Sequence, residues 1–256
     1  TFAGNLRNAS GTAADTVFIK QGAGTLTLTG NNNSYYSGKT LLQDGTLRAG
    51  STYAFSSSSA YEITGGILHT GGYNVSIGTL SGTGGTLNIS GGSLSIYQQA
   101  DGTYAGAVAG SGTLSKQGTG LLVLNGSNTH IGAVSVNAGT LQAGNAGALS
   151  QNVAYTVNGG TLDMNDYALT MSSLSSSTGI IDMGSAQLTV NQSGNTDYYG
   201  TVTGTGAFVK QGNGALALNG VNTYTGNTTV SGGTLIVGST NTYASAQLNS
   251  ANVTVQ

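Results

Sequence analysis

The chain has 256 residues and a formal net charge of −2; only 5% of the residues are charged, 44 are glycine, and Pro, Cys and Trp are absent. This composition excludes a transmembrane helix, which needs about 20 consecutive apolar residues, and it excludes disulfides and thiolate metal sites. Six basic residues form no patch for a nucleic acid, and Val, Ile and Thr throughout the chain indicate a folded β protein rather than disorder.

Short strands are predicted wherever apolar and polar residues alternate. The first clear example is residues 25–29, and the pattern returns at residues 93–96, 187–190 and 252–255. A period of two places Leu, Ile and Val on one face and Thr, Ser and Asn on the other. Gly-Gly, Asn-Gly and Asp-Gly pairs act as turn signals between these segments, and no window carries a 3.6-residue stripe. The sequence therefore predicts an all-β fold with essentially no α-helix.

A long repeat organises the chain. Residues 18–30 recur as residues 114–126 and 208–220, each copy carrying Lys-Gln-Gly-x-Gly before an alternating segment. The first copy has two extra residues within residues 31–36 and about six more around residues 8–15, and both insertions are expected to bulge outward. We treat the chain as a single rod with repeat units at about residues 1–103, 104–197 and 198–256.

Each unit also has a shorter period. Leu26, Leu47, Leu68 and Leu87 are separated by 21, 21 and 19 residues. A period near 20 residues suits one coil of a parallel β-helix (β-solenoid), in which equivalent leucines stack at about 4.8 Å. A meander of hairpins is the competing arrangement, but it does not explain the coil-length spacing. The absence of Pro also fits, because every coil donates its N–H groups to the next.

The third repeat copy is the fullest. It runs from Lys210-Gln211-Gly212 through Tyr224-Thr225-Gly226 to a closing Gly-Gly-Thr-Leu at residues 232–235. This pattern resembles the passenger-associated transport repeat, also called the autotransporter-associated β-strand repeat, of Gram-negative type V autotransporters. The resemblance implies a right-handed β-helix that is exported through an outer-membrane barrel, and the family is associated with adhesins, aggregation factors and some toxins. No segment resembles a signal peptide or the translocator barrel, so we expect an excised passenger segment.

No catalytic constellation is found. The two histidines, His69 and His130, occupy positions that vary between repeat copies, and we interpret both as exposed surface residues. Asp163 and Asp166 are close in sequence and Asp182 lies about one coil from Asp163, an arrangement in which stacked carboxylates could bind a cation or a sugar. The simpler interpretation is that they begin turns or solvate a face. No nucleophile elbow or calcium loop is present. We predict that the chain is not an enzyme and has no catalytic residue, metal or cofactor.

Lysine recurs at Lys20, Lys116 and Lys210, although charge is rare in this chain. These side chains could bind a partner. The structural interpretation, which we favour, is that each ammonium tops a turn or bonds a neighbouring carbonyl.

Tyrosine offers the best candidates for binding, because 13 Tyr accompany only four Phe and no Trp. A tyrosine gives a large contact area at low entropic cost, with a hydroxyl that can hydrogen bond. Tyr61, Tyr155 and Tyr224 recur with the repeat and are expected to fill the interior. Two tyrosine pairs instead lie beside polar loops that are predicted to protrude. The candidate binding residues are therefore Tyr35, Tyr36, Tyr198 and Tyr199.

The low charge and the family resemblance predict a cell-surface adhesin or self-association module, secreted across the bacterial outer membrane. It would mediate cell aggregation, biofilm formation or host attachment. The expected partners are copies of the chain on neighbouring cells, or a host or matrix protein or glycan, with no nucleic acid and no membrane-spanning segment. A structural stalk that presents a distal effector domain is the alternative, and a glycan-processing enzyme on a β-helix is a third interpretation.

Overall fold

The computed structural model of the chain describes residues 1–8, 16–33, 35–238, 247–248 and 252–255. Within these ranges every regular element is a β-strand and the strands pair in parallel, which confirms the predicted all-β solenoid. The expected bulge at residues 9–15 lies outside the described residues. The chain forms two compact units, Thr1–Gly132 and Ala133–Gln256.

The first unit is a stack of coils made of fourteen short strands. The strands pair in the orders β1-β3-β5-β8, β2-β4-β6-β9-β12, β7-β10-β13 and β11-β14. In chain order they are β1 (Val17–Lys20), β2 (Thr25–Leu28), β3 (Lys39–Leu42), β4 (Thr46–Ala49), β5 (Tyr61–Ile63), β6 (Ile67–His69), β7 (Val75–Ile77), β8 (Leu80–Ser81), β9 (Thr86–Ile89), β10 (Ser93–Tyr97), β11 (Gly102–Tyr104), β12 (Ala107–Gly110), β13 (Thr113–Gln117) and β14 (Leu121–Leu124).

The register of this unit follows the leucine period of the sequence. Leu26 pairs with Leu47, Leu47 with Leu68, and Leu68 with Leu87. Leu47, Leu68 and Leu87 are fully buried, so each coil places its leucine on that of the coil before it. The alternating polar residues between them face outward, as in β13, where exposure rises and falls with every residue.

The second unit repeats this construction with sixteen strands, which pair in the orders β15-β17-β19-β21-β24-β27-β30, β16-β18-β20-β23, β22-β25-β28 and β26-β29. The strands are β15 (Val134–Val136), β16 (Thr140–Ala143), β17 (Val153–Val157), β18 (Thr161–Asp163), β19 (Leu169–Ser175), β20 (Ile180–Asp182), β21 (Leu188–Asn191), β22 (Thr196–Tyr198), β23 (Thr201–Thr203), β24 (Phe208–Gln211), β25 (Ala215–Leu218), β26 (Val221–Asn222), β27 (Thr228–Val230), β28 (Thr234–Val237), β29 (Gln247–Leu248) and β30 (Val253–Val255).

Aromatic side chains fill part of the interior. Tyr61, Tyr155 and Tyr224 are all buried, as predicted. In the first unit the ring of Tyr61 meets that of Phe55 edge-on at 6.0 Å, and in the second Tyr224 packs on Phe208 at 5.8 Å. Such pairs add to the burial of apolar area, and each tyrosine hydroxyl needs a partner in the core.

Glycine allows the backbones of successive coils to approach closely. In the second unit, a side chain on Gly206 would overlap the carbonyl oxygen of Ala186, and one on Gly226 would overlap that of Gly206. In the first unit Gly126 stands in the same way against Gly106. These glycines explain part of the unusual composition, because the carbonyl of one coil occupies the space where the next would carry a Cβ.

Among the residues that the structure describes, no helix has the length and apolar character needed to cross a membrane.

Candidate functional site: a polar groove in the first unit

The three repeated lysines are buried, which confirms their structural role. Lys20 is 7% exposed, Lys116 1% and Lys210 0%. Lys20 Nζ donates hydrogen bonds to the carbonyl oxygens of Gly22 at 2.6 Å and Asp44 at 2.9 Å, and Lys210 contacts the carbonyls of its own turn in the same manner. Backbone dipoles hold the ammonium group in the interior, so these lysines are not placed to contact a partner.

Replacement of Lys20 by Met is expected to lower the free energy of unfolding by about 1–3 kcal/mol, because it leaves buried carbonyls without their charged donor. Lys39→Met is the control in the same unit. The ammonium of Lys39 lies at the surface against Glu62, and the loss of such a pair is expected to cost less than about 1 kcal/mol. Denaturant melts compare the two variants. Equal losses would show that the buried ammonium contributes no more than the surface pair.

Each predicted tyrosine pair has one buried and one exposed member. Tyr36 is 3% exposed and Tyr198 0%, whereas Tyr35 is 44% and Tyr199 51% exposed. The Tyr36 hydroxyl accepts a hydrogen bond from the Phe18 amide at 3.1 Å, and the Tyr198 hydroxyl donates to a backbone carbonyl at 3.2 Å. Only the exposed member of each pair can reach a partner. The predicted binding role therefore remains open for Tyr35 and Tyr199 only.

His130 is buried, so its predicted surface position is wrong. It is 2% exposed, and its Nε2 lies 2.5 Å from the carbonyl oxygen of Gly112. Burial lowers its pKa and favours the neutral ring. Tyr36 and Tyr224 occupy the same repeat position and are buried too, so this variable position is an interior site that accepts either ring. His69 is partly exposed, and its Nδ1 accepts a hydrogen bond from a backbone amide at 2.8 Å.

The aspartates that might have formed a carboxylate cluster are used in turns, as the simpler interpretation predicted. Asp163 and Asp182 each accept a hydrogen bond from the amide two residues further on, at 2.8 and 3.0 Å. Asp166 accepts the amide and the hydroxyl of Ser185, and these contacts lower its pKa. In the described ranges, no group of three His, Asp or Glu side chains could hold a metal ion.

A groove with a volume of about 540 Å³ crosses successive coils of the first unit. One wall is formed by residues that directly precede β3, β5 and β8, and the other by the end of β10. The lining residues are 37–39, 57–58, 60, 78–79, 97 and 99. Short residues before the strands, with glycines at positions 38 and 78, leave this corner of the coils open.

The lining is rich in hydroxyl groups and nearly free of net charge. Ser57, Ser58 and Thr79 present hydroxyls, and the ring of Tyr97 is 39% exposed at the groove. Lys39 is the charged residue of the lining, and its ammonium is paired with Glu62. The groove can therefore donate and accept hydrogen bonds along its length, beside one aromatic face.

Asparagines of the first repeat copy position this corner. Asn8 donates to the Ser37 hydroxyl at 2.8 Å and accepts from the Ser37 amide at 3.0 Å. Asn33 accepts from both the amide and the hydroxyl of Ser57 at 2.9 Å. The insertion predicted to bulge at residues 31–36 is thus tied to the groove, at least in its described residues. A smaller cavity of about 120 Å³ adjoins it, lined by Asn8, Asn33, Tyr35, Tyr36, Ser37 and Ser58.

Sequence reasoning missed the structural role of three asparagines, of which Asn32 and Asn222 are buried and Asn128 is half-buried. Asn32, Asn128 and Asn222 recur two residues after the glycine that ends each alternating segment. The Oδ1 of each accepts a backbone amide of the preceding coil, from Leu6 at 2.6 Å, Val108 at 2.6 Å and Val202 at 3.0 Å. The recurrence of Asn at one repeat position was a signal of this role. An amide side chain that recurs at one position of a β-solenoid must be exposed or hydrogen bonded.

Few cationic side chains reach the surface. With three lysines buried, the exposed or partly exposed ones in the described chain are Arg7, Lys39 and Arg48. Arg7 lies against the ring of Tyr35, with its guanidinium carbon 4.5 Å from the ring centroid. One face of Tyr35 is therefore already covered by a cation.

The repeat of this chain matches a known family. The Passenger-associated-transport-repeat family model matches residues 18–49, 114–143 and 208–237, the same three copies that the lysines mark. The chain is 39% identical over 166 residues to the Adhesin BmaC autotransporter of Brucella suis biovar 1 (strain 1330). That alignment covers 58% of this chain, and the chain spans only 5% of the length of that relative. No solved structure matches.

The repeats, the coil stack and the Brucella relative point to one class of protein. The repeat model falls on each lysine-bearing turn, and the parallel strands between the repeats continue the same coils. The chain carries three passenger-associated transport repeats and is similar to part of an autotransporter adhesin, as expected for a passenger that is secreted across the outer membrane and displayed at the cell surface.

Proposed function

We propose that this chain takes part directly in adhesion, binding other cells or host surfaces through side chains on the outside of its coils. The observation that carries the proposal is the 39% identity to an autotransporter adhesin. The exposed Tyr35 and Tyr199 are the proposed contact residues, because each offers a ring and a hydroxyl outside the core.

The surface chemistry supports self-association between copies on neighbouring cells. The formal net charge is −2, and three of the six basic residues are buried, so two copies repel each other little. Outward Ser, Thr and Asn side chains can form many weak hydrogen bonds, each with a net value of about 0.5–1.5 kcal/mol before the costs of association. Aggregation through such faces, biofilm formation, and attachment to a host or matrix protein or glycan are the specific forms of adhesion that we propose.

The test displays the whole passenger on a bacterium that does not aggregate. We expect the cells to sediment together or to attach to host cells and matrix-coated surfaces. Both properties should be lost when residues 1–256 are replaced by coils of equal number from an unrelated β-solenoid. Adhesion that survives this exchange would favour the alternative function, a stalk that presents another domain.

A further inference from the structure

We propose that the groove between β10 and the residues preceding β3, β5 and β8 binds a neutral saccharide. This inference rests on the proposed adhesive function and names the ligand class for one surface of the first unit. The groove has a volume of about 540 Å³, within the range of about 300–1,000 Å³ typical of small-molecule sites.

Hydroxyl groups on successive coils match the chemistry of a sugar. Ser57 and Ser58 lie in one coil and Thr79 in the next, so hydroxyl oxygens line the groove on two successive coils. The Ser57 hydroxyl already donates to Asn33 and can accept a further hydrogen bond. The hydroxyls of Ser58 and Thr79 can each donate one bond and accept others, so they can pair with sugar hydroxyls in several arrangements. The amide of Gln99 adds two donors and an acceptor at the open edge.

Tyr97 supplies the aromatic surface. Its ring is 39% exposed at the end of β10 and lines the groove directly. The exposed part of an aromatic ring can pack against the apolar C–H face of a pyranose. This combination of one aromatic face and several hydroxyls favours a sugar over a purely apolar ligand.

Charge restricts the ligand to a neutral one. Lys39 lies in the lining, but its ammonium is engaged by the carboxylate of Glu62. An anionic sugar would have to compete with Glu62 for that ammonium, and it would meet no other cation among the lining residues. A neutral saccharide carries neither penalty.

The groove is organised before any ligand arrives. Asn8 holds the backbone and hydroxyl of Ser37, and Asn33 holds those of Ser57. Fixing these groups in advance reduces the ordering cost of binding. Both asparagines lie at or beside the insertions of the first repeat copy, which gives those extra residues a purpose that the coil itself does not require.

The test applies the purified chain to an array of neutral oligosaccharides, with sialylated and sulfated glycans on the same array. We expect binding to neutral glycans that weakens roughly three- to tenfold in Tyr97→Ala and is kept in Tyr97→Phe. Tyr73→Ala is the matched control, because Tyr73 is 40% exposed, almost the same as Tyr97, and is not a lining residue. Thermal melts of all variants check that each remains folded.

The outcomes separate the groove from the wider function. Absence of neutral glycan binding, binding to charged glycans alone, or equal losses in Tyr97→Ala and Tyr73→Ala would each overturn the saccharide proposal. If displayed cells still adhere in that case, adhesion stands and uses another surface. If the purified chain binds neutral glycans through Tyr97 while displayed cells fail to adhere, the groove stands and the adhesive role is wrong.

Discussion

Replacement of Gly206 by Ala is expected to lower the free energy of unfolding of the second unit by more than about 3 kcal/mol. A Cβ at this position would overlap the carbonyl oxygen of Ala186 on the neighbouring coil. That neighbour is backbone, and the Gly206 amide donates to the Gly184 carbonyl at 3.0 Å, so neither coil can retreat without breaking hydrogen bonds. Gly206 does not have a left-handed φ, so steric overlap alone causes the loss.

Gly194→Ala is the matched control in the same unit. A Cβ there would meet nothing within 4 Å, and Gly194 also lacks a left-handed φ. The control should be neutral or slightly stabilising, because alanine restricts the unfolded chain. Denaturant melts followed by circular dichroism measure both variants. If Gly206→Ala proves as stable as Gly194→Ala, the coils are not in the close register described here.

Above pH 10 the free energy of unfolding is expected to fall steeply, because the interior tyrosines can ionise more readily in the unfolded state than in the folded state. Burial raises the pKa of these hydroxyls, in the case of Tyr224 to about 12. Unfolded tyrosine titrates near 10, so at higher pH the unfolded state releases protons that the folded state keeps. Each tyrosine then lowers the free energy of unfolding by about 1.4 kcal/mol per pH unit, up to its folded-state pKa. Below pH 10 no stability is lost in this way. The tyrosines concerned are Tyr61, Tyr104, Tyr155, Tyr198 and Tyr224.

The ionisation of Lys116 changes the stability in the opposite direction, over a lower range of pH. Burial lowers its pKa to about 8, against 10.5 for the free side chain. Between these values the folded state has released a proton that the unfolded state still holds, so stability rises with pH. The first unit should therefore become slightly more stable between pH 8 and 10 before the tyrosines dominate.

Adjacent residues provide the control for the tyrosine prediction. Tyr198→Phe should reduce the slope of the free energy of unfolding against pH by about 1.4 kcal/mol per pH unit, and Tyr199→Phe is the matched control at an exposed neighbouring position. Denaturant melts between pH 9 and 12, with tyrosinate absorbance recorded in parallel, measure both effects. Ionisation of Tyr198 in a protein that stays folded at pH 10 would refute the argument.

The coil register could be predicted from the sequence because one residue type marks it. Leu26, Leu47, Leu68 and Leu87 recur at a single coil length, and the parallel pairs join these same residues. The role of Lys20 was also predictable, since a rare charge that recurs before glycine needs a local partner. Both predictions use short-range patterns that a repeat displays several times.

Side-chain direction at variable positions was harder to predict. His130 was placed at the surface because its repeat position changes residue, yet Tyr36 and Tyr224 show that the position is an interior aromatic site. Variation at a repeat position does not imply exposure, because these three residues share a ring and a polar atom. The same difficulty affected Tyr198, since neighbouring aromatic residues gave no indication of which one faces inward.

The groove could not be predicted from any single segment. It depends on side-chain amides that reach across coils, from Asn8 to Ser37 and from Asn33 to Ser57. Tyr97 enters the same surface from a strand some sixty residues away along the chain. Such a site results from the stacking itself, and the sequence provides no spacing rule for it.

The way the interior lysines are held has a consequence for the surroundings in which the protein can stay folded. Their ammonium groups bond to carbonyl oxygens, which neither acid nor dissolved salt can neutralise, and the described residues contain one salt bridge, at the surface. Acid also protonates the imidazole of His130, whose burial favours the neutral form. A protein outside the cell meets brine, fresh water and acidified fluids that the cytoplasm does not buffer. A fold whose buried ammonium groups are hydrogen bonded to backbone carbonyls is suited to withstand such changes in salt and pH.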